Sequence, residues 1–169
     1  MTKKIVEIAH ERGVVVQAEL GNVPYIGEMQ METVDWAKYM TDPDQAAQFV
    51  KETGIDTLAV AIGNAHGFFR ERSEADYERL SSIAELVEVP LVLHGASDWE
   101  DGRVAEVIKR GISCFNVDTA TRLAFIGGLR EALQSEDETD LRKVLGKGQV
   151  AVKEAVKAKI LAFGSAHKA

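Results

Sequence analysis

The sequence predicts an α/β fold built on a parallel sheet, and three observations carry that prediction. Four short segments, 14–20, 57–62, 90–94 and 112–117, are apolar along nearly their whole length. Strands buried on both faces lose the apolar–polar alternation of a half-exposed sheet and read as continuous Val, Ile and Leu runs. Segments of helical character separate them, as crossover connections between parallel strands require. No hairpin signal such as Asn-Gly joins consecutive strands.

Taken in order, residues 2–12 form a helix with Ile5, Ile8 and Ala9 on one face, closed by Gly13. The first strand, 14–20, follows. Residues 22–41 lack periodicity and contain Pro24 and Gly27, so they read as a long loop. Asp42-Pro43 marks a helix start, Asp as N-cap and Pro at the first helical position, and the helix runs to Thr53 before Gly54. After strand 57–62 and the loop 63–67, a helix spans 73 or 74 to 87. Its Tyr77, Leu80, Ile83, Ala84 and Val87 recur at helical spacing. Strand 90–94, helix 101–109, Gly111 and strand 112–117 follow, then two helices, 120–134 and 140–163, parted by the polar 135–139.

The chain has 169 residues, enough for one domain spanning 1–169. A net charge of −7 without a basic tract argues against a nucleic-acid partner. No apolar run approaches the ~18–20 residues of a membrane span. The basic start is not followed by a long apolar stretch, so no signal peptide is expected. Cys114 is the only cysteine, which excludes an internal disulfide and points to a cytoplasmic chain. Lying inside a strand, it reads as a small buried hydrophobe. His10 and His167 read as solvated, and Trp36 and Tyr39 as core plugs or partner contacts.

The chemistry-bearing residues gather at strand ends. Glu19, His66, His94, Ser97, Asn116, Asp118 and Thr119 all lie at or beyond the carboxyl end of a strand, which is the active face of parallel α/β folds. His66 and His94 each precede a glycine, Gly67 and Gly95. Two imidazoles at neighbouring strand ends can share a metal, or each can bond locally and close its loop. Gly95-Ala96-Ser97 and Asn116-Val117-Asp118-Thr119 offer small residues and a helix N-terminus to an anion. Ordinary turn and N-cap chemistry accounts for them slightly better from the residues alone.

Read together, Val16-Gln17-Ala18-Glu19-Leu20-Gly21, Thr41-Asp42-Pro43, Thr53-Gly54-Ile55-Asp56, the run from Leu58 to Gly67, the run from Leu91 to Ser97, Asn116-Val117-Asp118-Thr119 and Phe163-Gly164-Ser165 resemble the class II, zinc-dependent fructose- and tagatose-bisphosphate aldolases. The resemblance covers nearly the whole chain in order. It implies a (β/α)8 TIM-barrel type of fold, of which about four parallel strands, the family's fifth to eighth, are present with their helices. It implies zinc held by three histidines and reversible cleavage of a ketose 1,6-bisphosphate to dihydroxyacetone phosphate and glyceraldehyde 3-phosphate. His66 and His94 match two zinc ligands. Gly67, Gly95, Ala96, Ser97, Asn116, Val117, Asp118 and Thr119 match the contacts to dihydroxyacetone phosphate. Glu19 matches an acidic position whose role is left open, and the Gly-Ala-Ser loop leans toward a tagatose-type enzyme.

The departures are equally plain. A (β/α)8 barrel typically takes ~250 residues. The family's catalytic aspartate and adjacent first zinc histidine belong to its N-terminal half, and no Asp-His pair occurs in this sequence. If another acid replaces that aspartate, Glu28 or another acid in the loop 22–38 is the obvious one. Three readings follow: an aldolase polypeptide that works with a complementing N-terminal half, an inactive sugar-phosphate-binding half barrel, or two copies paired edge to edge. A half barrel also exposes two strand edges and an apolar inner face, so the chain is expected to dimerise, capture a partner or aggregate.

Overall fold

The computed structural model describes residues 1–25, 35–67, 75–135 and 137–168. Four strands form its sheet: β1 (Gln17–Leu20), β2 (Thr57–Val60), β3 (Leu91–Leu93) and β4 (Ile112–Phe115). They lie in the order β1-β2-β3-β4, and every neighbouring pair is parallel, as the apolar runs predict. The helices are α1 (Thr2–His10), α2 (Pro43–Thr53), α3 (Tyr77–Leu86), α4 (Asp101–Lys109), α5 (Thr119–Ala132) and α6 (Leu141–Ala162).

Strand alternation divides the sheet into two unlike faces. Ala18, Leu58, Leu91 and Ile112 stand in register, followed by Leu20, Val60, Leu93 and Phe115. These pack with Val6 of α1, Ala46 of α2, Leu80 and Ile83 of α3, and Val104 and Val107 of α4. Burying each large side chain contributes about 1.5–3 kcal/mol. The opposite face carries Glu19, Ala59, Val92 and Cys114 in register.

The helix starts follow their caps. Asp42 Oδ1 accepts from Gln45 N at 2.9 Å ahead of Pro43. At the other end Gly54 takes φ +70°, the left-handed closure that glycine permits without strain. Asp76 caps α3 by accepting from Arg79 N at 2.9 Å, so that helix begins at Tyr77 rather than at 73 or 74, which lie outside the described residues.

Several expectations need correction. The first strand starts at Gln17, not 14. Its partner β2 begins at Thr57, so Val14 and Val15 have no strand to pair with and are exposed. The second strand closes at Val60, although Ala61 and Ile62 stay buried. The loop 22–41 contains a short 3-10 helix, Trp36–Lys38, and a bridge at Tyr25; Glu28 lies outside the described residues. Trp36 and Tyr39 are half-buried. Cys114 is exposed, because it sits on the open face of an edge strand. His10 is not merely solvated: its Nε2 lies 2.9 Å from Asp56 Oδ2, tying the end of α1 to the start of β2. The open face is not a broad apolar surface either. Its Ala59 and Val92 are fully buried, and Gln17 and Glu19 flank them with polar groups. Among the described residues the exposed large apolar side chains lie mainly on α1, α5 and α6 and at Val14 and Val15. Among those residues no helix is long and apolar enough to cross a membrane.

Candidate active site at the carboxyl rim

The parallel order brings the carboxyl ends of all four strands to one rim. His94 follows β3 directly, Asn116 follows β4, and His66 lies six residues past the end of β2. Their side chains border a cavity of about 220 Å³ lined by Tyr25, His66, His94, Gly95, Ser97, Asn116, Val117, Asp118 and Thr119. The lining therefore gathers most of the residues picked out from sequence, leaves out Glu19, Gly67 and Ala96, and adds Tyr25. A larger hollow of about 640 Å³ between α5 and α6 is lined by Glu131, Glu138, Lys143 and Lys147 among others and holds no histidine.

The two imidazoles converge. Their ring centroids are 6.1 Å apart with planes inclined by 36°. With Zn–N bonds of ~2.1 Å, two rings on one ion sit roughly 5–6 Å apart, so the pair lies just beyond that range. Burial, then the neighbouring His94, pushes the His66 pKa down. Both favour the neutral imidazole, the form that ligates a metal. Tyr25 stacks on the His66 ring at 4.8 Å, and His66 N donates to Pro24 O at 2.9 Å.

Glu19 gains a role here. Its Oε2 lies 2.6 Å from His94 Nδ1. That hydrogen bond, opposed by partial burial, holds the Glu19 carboxyl below its ordinary value. A carboxylate on one ring nitrogen fixes the tautomer and leaves the other nitrogen for a ligand. His94 Nε2 meets the Gln17 side-chain oxygen at 3.1 Å, and Asn116 Nδ2 donates to the same oxygen at 3.4 Å. Gln17 thus stands where an incoming metal would compete.

The anion-type loops are joined to each other. Buried Ser97 accepts from Ala120 N at 3.2 Å, capping α5 in place of Asp118, whose side chain makes no cap. The Asp118 carboxylate instead pairs with Arg122 at 2.8 Å. Gly95 has φ +65°, and a Cβ there would overlap the Ala65 carbonyl. Only glycine lets the two loops approach so closely. Behind Ala96, Lys159 Nζ donates to its carbonyl at 3.4 Å, and partial burial lowers the Lys159 pKa.

The metal set is incomplete. Among the described residues no cluster of three or more His, Cys, Asp or Glu side chains could hold an ion. His66 and His94 are the two imidazoles on this rim that could contribute to a zinc site. Sequence reasoning overlooked Tyr25, hidden in an aperiodic loop, and Asn64. The latter is a fully buried polar residue between a strand and a histidine, and that position was the available signal.

Residues 1–168 match the family described as fructose-bisphosphate aldolase class-II. The YdjI aldolase from Escherichia coli K12 has 36% sequence identity and a TM-score of 0.82, over 100% of this chain and 56% of that one. A putative fructose-1,6-biphosphate aldolase from Coccidioides immitis has 30% identity and a TM-score of 0.84, over 99% and 58%. Fructose-bisphosphate aldolase from Campylobacter jejuni, at 21% identity and a TM-score of 0.74 over 96% and 55%, shares the fold. The chain therefore spans a little over half the length of these solved structures, and its four-stranded sheet is a partial TIM barrel.

Proposed function

The chain belongs to the class II fructose-bisphosphate aldolase family, and on that premise we propose that residues 1–169 form the C-terminal half of an aldolase barrel. This half carries two zinc ligands and the phosphate loops for reversible cleavage of a ketose 1,6-bisphosphate, of fructose or tagatose type, to dihydroxyacetone phosphate and glyceraldehyde 3-phosphate. One observation supports this above the others: His66, His94 and the Ser97–α5 junction border the same cavity, with Glu19 bonded behind His94.

In this reading His66 and His94 hold zinc, which when bound polarises the ketose carbonyl. Glu19 keeps His94 oriented. Gly95, Ala96 and Ser97, with Asn116 to Thr119, cradle the phosphate at the start of α5, where backbone N–H groups and the helix dipole favour an anion. Gly67 gives the His66 loop room to turn, at φ +122°. The proton-transferring aspartate and the third ligand come from a complementing N-terminal half. An inactive sugar-phosphate-binding half barrel is the second reading, favoured by the absence of any Asp-His pair in the sequence. Either way, exposed apolar residues on α1, α5 and α6 favour assembly with that half or with a second copy.

Zinc titration against a chromophoric chelator tests the metal part. The wild-type chain is expected to bind weakly, and His66→Ala or His94→Ala to abolish that binding. Zinc affinity unchanged in both variants would remove the two histidines from the proposal.

A further inference from the structure

Asn64 is a fully buried polar side chain whose oxygen and amide nitrogen are both engaged in hydrogen bonds. Its Oδ1 accepts from Ile62 N at 2.8 Å. Its Nδ2 donates to Val60 O at 3.3 Å and, across to the next strand, to His94 O at 3.0 Å. A primary amide has two donor hydrogens, and both are committed. The same side chain therefore grips the loop that presents His66, two residues on, and the backbone of His94 itself. The close approach of Gly95 to the Ala65 carbonyl locks the two loops at a second point.

We infer that Asn64 is a positioning residue that sets the spacing of the His66 and His94 imidazoles. Neither histidine backbone is held to the other by the sheet ladder, since β2 ends at Val60 and β3 at Leu93. Beyond those ends the Asn64 amide supplies a polar link that crosses. A side-chain amide is well matched to these partners, with one acceptor for a backbone N–H and two donors for two carbonyls, all in a rigid plane. Aspartate, nearly the same size, would set a carboxylate against two carbonyl oxygens and lose the link to His94.

The role rests on the zinc reading only for its use, not for its geometry, and the two are tested apart. Histidine ring cross-peaks are recorded by NMR for the metal-free chain, alongside zinc affinity and thermal melting. Asn64→Asp is expected to shift the His66 and His94 ring signals and to weaken zinc binding at least about tenfold, the usual effect of losing a group that orients a ligand. Thr41→Ala is the control. Thr41 is likewise buried and links β1 to β2 through Leu20 O and Ala61 N, at 2.6 and 2.8 Å, without touching either histidine. It is expected to lower the melting temperature and leave the ring signals in place. Ring signals in folded Asn64→Asp identical to wild type, or moved equally by Thr41→Ala, would overturn the inference. If Asn64→Asp does not fold, the wild-type chain decides. The Asn64 side-chain amide should exchange its protons far more slowly than that of exposed Asn22, and equal exchange would overturn the role. A wild-type chain that binds no zinc at all removes the metal reading, while the ring signals still judge Asn64.

Discussion

The centre of the sheet and the α5–α6 pair both carry many apolar residues and use them differently. Leu58, Val60, Val92 and Leu93 are completely buried, and the loops that follow carry the histidines. On and between α5 and α6, Leu123, Ile126, Leu133, Leu141, Leu145, Val156 and Ile160 are all exposed, several by half or more. Leu141, Leu145, Val156 and Ile160 share one stripe of α6, as helical spacing dictates. One region therefore has its partners within the chain, and the other offers surface that none of the described residues covers. The rim that carries the two histidines is anchored to the first region through β2 and β3. It reaches the second through Ser97–Ala120 and Lys159–Ala96.

The contrast is broken most severely by hollowing the buried side. Leu93→Ala removes a side chain with no exposure. It should cost about 2–5 kcal/mol in denaturant unfolding, the range for large-to-Ala changes in a packed core. A loss under ~1 kcal/mol would mean that this part of the sheet is looser than its burial indicates. Gly95→Ala comes next, at about 1–3 kcal/mol, because an L-residue at positive φ is strained and its Cβ meets the Ala65 carbonyl. The matching readout is zinc affinity, which should fall together with stability.

A pH experiment sharpens the contrast at the edge of the sheet. The Asp56 carboxyl is held below its ordinary value, first by His10 and then by Val16 N, which donates to it at 2.6 Å. A depressed pKa means the folded state favours the carboxylate. The stability it lends is present above the unfolded carboxylate value near ~3.9 and is lost as pH falls through the lower folded value. In melting curves taken from pH 7 down to 2, Asp56→Asn should therefore be less stable at neutral pH and show a shallower acid decline. An acid limb identical to wild type would remove the His10–Asp56 link from the account.

The smallest effect on stability is expected on the exposed side. Leu141→Gln with Leu145→Gln should change unfolding free energy by no more than about 0.5 kcal/mol per site. It should nevertheless reduce self-association in sedimentation velocity at micromolar concentration. A wild-type chain already monomeric at that concentration would mean the α6 stripe is not an assembly surface.

The parallel sheet was legible in the sequence because its central strands are buried on both faces and so read as unbroken apolar runs. The same signal misled at Val14 and Val15, where an apolar run continues past the point at which a partner strand exists. It misled again at Cys114, since local sequence does not mark an edge strand. His66 and His94 could be found from their glycine neighbours and strand-end positions. Asn64 could not be given its role, because its decisive partner, the carbonyl of His94, is 30 residues away. Glu19 was visible as an acid at a strand end, but its hold on His94 Nδ1 depends on β1 and β3 flanking β2.

The central claim is that these 169 residues carry the phosphate and imidazole side of an aldolase site without its proton-transfer side. The most direct measurement is a coupled assay for dihydroxyacetone phosphate release from fructose and tagatose 1,6-bisphosphates, using the purified chain with saturating zinc. Turnover should be negligible, since loss of the general acid–base group alone removes about 10²–10⁴-fold. Robust turnover, at a rate typical of enzymes near ~10 s⁻¹, would contradict the account and place a proton-transfer group within this chain.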